Sequence, residues 1–152
     1  MITFSVEPFS DCYEEAIPLL EQHYQEISAH KAHGFDLKPQ IHAYKARETD
    51  GTLMTVVGRE GGEIVAYLSC FIAPGLHYET CLTCLPDIFY VRPDKRLGMC
   101  GVRLFKFVEK ELKRRGVKLW FVGSKVAHDV TPLFRFMDFS PVETTHAKWL
   151  ED

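Results

Sequence analysis

The stretch Asp87-Ile88-Phe89-Tyr90-Val91-Arg92-Pro93-Asp94-Lys95-Arg96-Leu97-Gly98-Met99-Cys100-Gly101-Val102-Arg103-Leu104 concentrates the residues able to do chemistry. An apolar, strand-like run passes through a basic turn holding Gly98 and Gly101 and continues directly into a helix-forming segment. That layout suits a diphosphate. The first backbone N–H groups of a helix have no partner within it and sit at the positive end of its dipole, so an anion there gains several hydrogen bonds without needing lysine. Glycine lets the anion approach the backbone, and Arg96 can add a charge-assisted contact.

Other groupings carry less. Cys81-Leu82-Thr83-Cys84 with His77 and Cys70 has ligand types that zinc accepts. These residues fall in predicted strands, no second pair completes the set, and cysteine is a common small apolar core residue, so no metal is assigned. His30, His33 and His42 belong to a polar stretch that reads as loop. Lys106, Lys110, Lys113, Arg114, Arg115 and Lys118 are interleaved with Glu109 and Glu111, the pattern of a solvated helix face.

The elements that must hold the glycine turn follow from periodicity. Ile2, Phe4 and Val6 alternate with polar residues as a first strand, and Ser10 or Asp11 can cap a helix with Ile17, Leu20, Tyr24 and Ile27 on one face, bent or delayed by Pro18. A loop from Ser28 to Pro39 and a short helix near Gln40 to Arg47 come next. Thr52 to Val57 and Glu63 to Ile72 form an antiparallel pair about Glu60-Gly61-Gly62, and Thr80 to Val91 is a third strand. Leu104, Phe105, Val108 and Leu112 stripe a helix over Val102 to Arg115, with outer pairs Glu109/Lys113 and Glu111/Arg115 and a stop at Gly116. Val117 to Val122 reads as a strand buried on both faces beside a parallel neighbour. A short helix near Thr131 to Met137 and a last strand around Thr144 to Leu150 complete the order β, α, α, β, β, β, α, β, α, β.

Composition agrees with one domain over residues 1–152: 46% hydrophobic and 26% charged residues supply a core without a bias to disorder. A net charge of −3 creates no global positive field, which argues against nucleic acid as partner. No apolar run approaches the roughly 18 residues needed to span a bilayer, and the amino terminus lacks a signal-peptide pattern. Five cysteines, an odd set, read as reduced thiols. The expected location is the cytoplasm.

With Arg96 as its leading residue, Arg96-Leu97-Gly98-Met99-Cys100-Gly101 resembles the pyrophosphate loop Q/R-x-x-G-x-G/A of the GNAT N-acetyltransferase superfamily, and Gly98 falls on the second glycine of the R-G-G-x-x-G form seen in phage-encoded members. Val91-Arg92-Pro93-Asp94 keeps the family's spacing to the arginine; a register led by Lys95 is the alternative. The likeness extends over Phe105 to Lys118 and Thr131 to Thr145. It implies an α+β fold with a mixed antiparallel and parallel sheet of about six to seven strands flanked by about four helices. Acetyl-CoA is the implied co-substrate, held by Arg96, Leu97, Gly98, Met99, Cys100, Gly101, Val102 and Phe134, with a backbone N–H of Phe89, Tyr90 or Val91 on the thioester carbonyl. The acceptor is a primary amine on a small molecule, a protein or a modified base, attacking directly. Asp87 stands where some members carry a catalytic carboxylate, although it could equally cap the turn after Pro86. Phe134 takes the place of the tyrosine that protonates the leaving thiolate in many members, so Ser124, His128 or water must substitute. Met99 and Phe134 leave open a second reading, a binding or virion-associated module without turnover. A homodimer is left open.

Overall fold

The computed structural model describes residues 1–151. A five-stranded sheet runs in the order β1 (Thr3–Val6), β2 (Leu53–Glu60), β3 (Glu63–Gly75), β4 (Tyr78–Val91) and β5 (Leu119–Trp120). The first three pairings are antiparallel and the last, β4 with β5, is parallel. The β2–β3 hairpin turns on Gly61 and Gly62, both at positive φ (57° and 86°), where an L-residue would be strained.

Helices cover both faces. On one side α1 (Phe9–Ile27) lays Cys12, Ala16 and Leu19 against Val57, Ile64, Tyr67 and Tyr90, beside the short α2 (Ile41–Thr49). On the other, α3 (Cys100–Arg114) buries Leu104, Phe105, Val108 and Leu112 against Val56, Val65, Leu68 and Cys84, with Phe134 of α4 (Thr131–Phe136) in the same core. Two covered faces explain why Leu53 to Gly58 is buried without alternation. Among the described residues no helix is long and apolar enough to cross a membrane.

Several expectations are corrected. The sheet has five strands rather than six or seven, because Thr144 to Leu150 forms none. The large apolar residue of that tail finds its cover elsewhere: Trp149 stacks on His33 at 3.8 Å and meets His30 and Phe35. β5 is shorter than Val117 to Val122, and Leu119 is exposed. The buried stripe of α1 runs through Phe9, Cys12, Ala16 and Leu19, while Ile17 faces solvent, and the helix continues unbroken through Pro18 from a start without a side-chain cap. Glu111 pairs with Arg114 in place of Arg115, whereas Glu109–Lys113 forms as expected.

Candidate active site

The site begins with a parting of strands. Lys118 and Phe121 donate their N–H groups to the carbonyls of Leu82 and Cys84 at 2.8 and 2.9 Å, and past Cys84 no backbone bond joins the two strands among the described residues. β4 pairs Ile88 with Ser69 and Pro86 with Cys70, leaving Asp87 as the extra residue of a bulge next to a proline with no N–H to offer. The extra residue reverses parity. Before it, the backbone groups of Leu82 and Cys84 face β5; after it, Arg92 N–H donates to Val65 O at 2.9 Å, so Ile88, Tyr90 and Arg92 face β3. The period of two then turns the N–H groups of Phe89 and Val91 toward the side β5 has left. Of the three expected carbonyl-oxygen donors, Tyr90 is therefore excluded, since its N–H belongs to the β3 ladder.

Between the parted strands lies a cleft of about 900 Å³, with Arg96, Gly98, Gly101 and Val102 along one wall and Gly123, Ser124 and His128 along another. α3 starts at Cys100. Among the described residues, no protein group accepts from the N–H groups of Leu97 through Val102; the next, Arg103 N–H, donates to Met99 O at 2.8 Å. Gly98 has φ 136°, a conformation open to glycine, and a Cβ added to Gly101 would meet only Leu133 Cδ2 at 3.7 Å, so the protein itself does not require that glycine. Arg96 points into the cleft, whereas Lys95 turns away to Glu60. The Arg96 guanidinium holds the Glu26 carboxylate through two N–H groups at 2.5 and 2.9 Å, donates to Val91 O at 2.8 Å and lies over the Tyr90 ring. Arg96 in turn holds the Glu26 carboxyl below the usual carboxylate range. The other loop side chains leave the cleft: Leu97 and Met99 project to solvent and the Cys100 thiol is buried, so these three offer only backbone.

Asp87 is partly buried at the bulge, and burial raises its pKa above the ordinary value, opposed by the Tyr44 hydroxyl that donates to Oδ2 at 2.7 Å and by Arg47. Tyr44 also lines a second, smaller cavity of about 280 Å³ between α1, α2 and the sheet. The two cavities share His23, Ser69, Ile88 and Lys125 as a common wall. His23 Nδ1 and the Tyr67 hydroxyl are 2.6 Å apart, and the imidazole stacks on Tyr90 at 4.6 Å. Burial and then the nearby Lys125 cation push its pKa down to about 4, which keeps the ring neutral at physiological pH.

The expected acids occupy the far wall. Ser124 donates to Asp129 Oδ1 at 3.0 Å and accepts from Val130 N–H at 2.9 Å, so its hydroxyl fastens the start of α4. His128 is exposed on the same loop, its backbone N–H donating to Lys125 O at 3.1 Å, and close enough to Glu26 to help hold that carboxyl down. Phe134, expected at the cofactor, is instead core, packed on Phe89, Phe105 and Phe139; Pro132, Leu133 and Phe136 present the cleft face of α4. Sequence reasoning missed His23, Glu26 and Tyr44. A stripe read through Leu19, His23 and Ile27 would have flagged the first, while the bulge that joins Tyr44 to Asp87 leaves no sequence signal beyond Pro86.

No protein-family model matches the chain, and no curated protein matches it in sequence. Solved structures match it in three dimensions. An aminoglycoside acetyltransferase from an uncultured soil metagenomic sample superposes with a TM-score of 0.78 at 14% identity, covering 99% of this chain and 97% of that one. A glucosamine-6-phosphate N-acetyltransferase from Arabidopsis thaliana gives 0.74 at 15%, with 99% of each chain covered. A predicted acetyltransferase with acetyl-CoA from Clostridium acetobutylicum gives 0.69 at 14%, covering 99% and 95%. In fold, this chain is built as these acetyltransferases are.

Proposed function

We propose that this protein is an acetyl-CoA-dependent N-acetyltransferase that moves an acetyl group to a primary amine by direct attack. The observation that carries the reading is the run of unengaged N–H groups from Leu97 to Val102, flanked by Arg96, at the edge of the cleft where β4 and β5 part. A helix start that leaves its amides free beside an arginine is a diphosphate seat, and the match in fold to an acetyltransferase with acetyl-CoA supports it. Arg96 exchanges Glu26 for phosphate oxygens. The N–H groups of Phe89 and Val91 offer hydrogen bonds to a thioester carbonyl, where negative charge develops during attack. Asp87 takes the amine proton: its raised pKa makes it a better base than an exposed carboxylate, and Tyr44 fixes its orientation. His128 is the freer of the two expected acids, because the Ser124 hydroxyl is committed to Asp129 and Val130.

A second reading, a binding or virion-associated module without turnover, is favoured by α4, whose cleft face of Pro132, Leu133 and Phe136 carries no acid group. Calorimetry with acetyl-CoA, followed by amine-dependent thiol release, separates the cases. Saturable binding with turnover supports the enzyme, binding without turnover selects the module, and no binding removes both the enzyme and any module that binds acetyl-CoA.

A further inference from the structure

The smaller cavity has a chemistry of its own. Its walls are apolar and aromatic, with Tyr13, Leu20, Tyr24, Leu37 and Val57 among them, and no carboxylate lines it. Its polar groups are largely spent on one another. The Thr55 and Ser69 hydroxyls are 3.3 Å apart, His23 is joined to the Tyr67 hydroxyl, Tyr24 donates to Phe35 O at 2.7 Å, and Ser28 accepts from His30 N–H at 3.2 Å. The one cation on the wall, Lys125, stands at the junction with the large cleft. Asp87 lines the large cleft rather than this cavity, next to the shared Ile88, and meets the cavity wall through the Tyr44 hydroxyl that donates to it.

A polyhydroxylated or polycationic amine would find few free hydroxyl partners beyond Tyr13 and no counter-charge here, and would lose much of its hydration uncompensated. A cavity of about 280 Å³ also sits at the small end of ligand pockets. We infer that the acceptor of the proposed transfer is a compact, apolar monoamine of the aryl-alkyl class, its ring between the aromatic walls and its amino group at the junction beside Asp87. This rests on the acetyltransferase reading and narrows it: the neighbours in fold include enzymes of aminoglycosides and of glucosamine 6-phosphate, and those two acceptor types are the ones this lining disfavours.

The test compares 2-phenylethylamine with kanamycin and glucosamine 6-phosphate as acceptors under acetyl-CoA, reading kcat/KM from thiol release. The expected result is a preference of about tenfold or more for 2-phenylethylamine, within the roughly hundredfold by which an apolar pocket rejects an added hydroxyl. Leu37→Asp, at a partly exposed position of the lining, should lower kcat/KM for 2-phenylethylamine and raise it for 1,4-diaminobutane. Equal or better turnover of kanamycin or the phosphosugar overturns the inference while leaving the transferase reading intact. If acetyl-CoA does not bind, the transferase reading fails by itself. Calorimetric binding of 2-phenylethylamine to the protein alone then still decides the cavity's preference: saturable binding weakened by Leu37→Asp upholds it, and no binding overturns it.

Discussion

The two cavities that meet at His23 and Ser69 are built on opposite principles. The large cleft is lined on one side by unengaged main-chain donors, and its specificity for an anion is a property of backbone, of a helix start and of two glycines. In the smaller cavity most polar side chains already have protein partners, and what remains is mainly shape and apolar surface. A backbone site constrains few residue types, yet it needs a fixed order of strand, turn and helix. A side-chain site constrains no order and scatters its residues over α1, the following loop, α2, three strands and the loop after β5. On the proposed function, an invariant ligand meets main chain and a variable one meets side chains.

The largest expected effect falls where the two regions touch. Asp87→Asn should lower the rate of acetyl transfer at neutral pH by about 10²–10⁴, the usual cost of a lost general base, with acetyl-CoA affinity unchanged in calorimetry. Its stability effect has a definite sign. The pKa of Asp87 is raised in the folded protein, chiefly by burial, so this carboxyl favours the folded state below its unfolded pKa, and that advantage is lost as pH rises through the folded value. Asparagine is never charged and can still accept from Tyr44. The variant should therefore melt at or above the wild-type temperature at neutral pH; a drop in melting temperature with full activity per folded molecule would make Asp87 a structural residue.

Next in size are changes confined to the diphosphate seat. Arg96→Ala should weaken acetyl-CoA by about 1.5–3 kcal/mol, the range for a hydrogen bond to a charged group. Gly101→Val should weaken it further by filling the approach to the helix start, and because the fold leaves room for a Cβ there, the melting temperature should stay near wild type. Neither change should alter binding of an apolar amine in the smaller cavity. An acetyl-CoA dissociation constant indifferent to both would move the seat away from this turn.

The smallest effect sharpens the contrast. Glu26 shares Arg96 and also accepts from the Tyr90 hydroxyl. Glu26→Gln removes a competing anion from Arg96 and should tighten acetyl-CoA by no more than about 1 kcal/mol, the scale of a partly exposed ion pair. Weaker binding in titration would instead mean that Glu26 holds Arg96 in a useful pose.

The same contrast explains what could be read before any coordinates. Arg96, Gly98, Gly101 and Val102 were legible because strand, turn and helix follow one another along the chain, and α3 appeared within a few residues of its stripe of Leu104, Phe105, Val108 and Leu112. Phe134 was misplaced because spacing along α4 does not say which face meets the core, and Tyr90 because the bulge at Asp87 reverses which backbone groups face the opening. His23 lay one residue off the stripe assigned to α1. The final strand was lost because Trp149 packs on His33 rather than joining a sheet edge.

The central claim is that the free amides of the turn before α3 and the two inward-facing amides of β4 receive acetyl-CoA. Backbone amide NMR during titration with acetyl-CoA tests it residue by residue. The account predicts saturable shifts at Leu97 through Val102, with Phe89 and Val91 moving along the same isotherm and Tyr90 moving less. Saturation with the turn amides unmoved, or no shift anywhere, would contradict it.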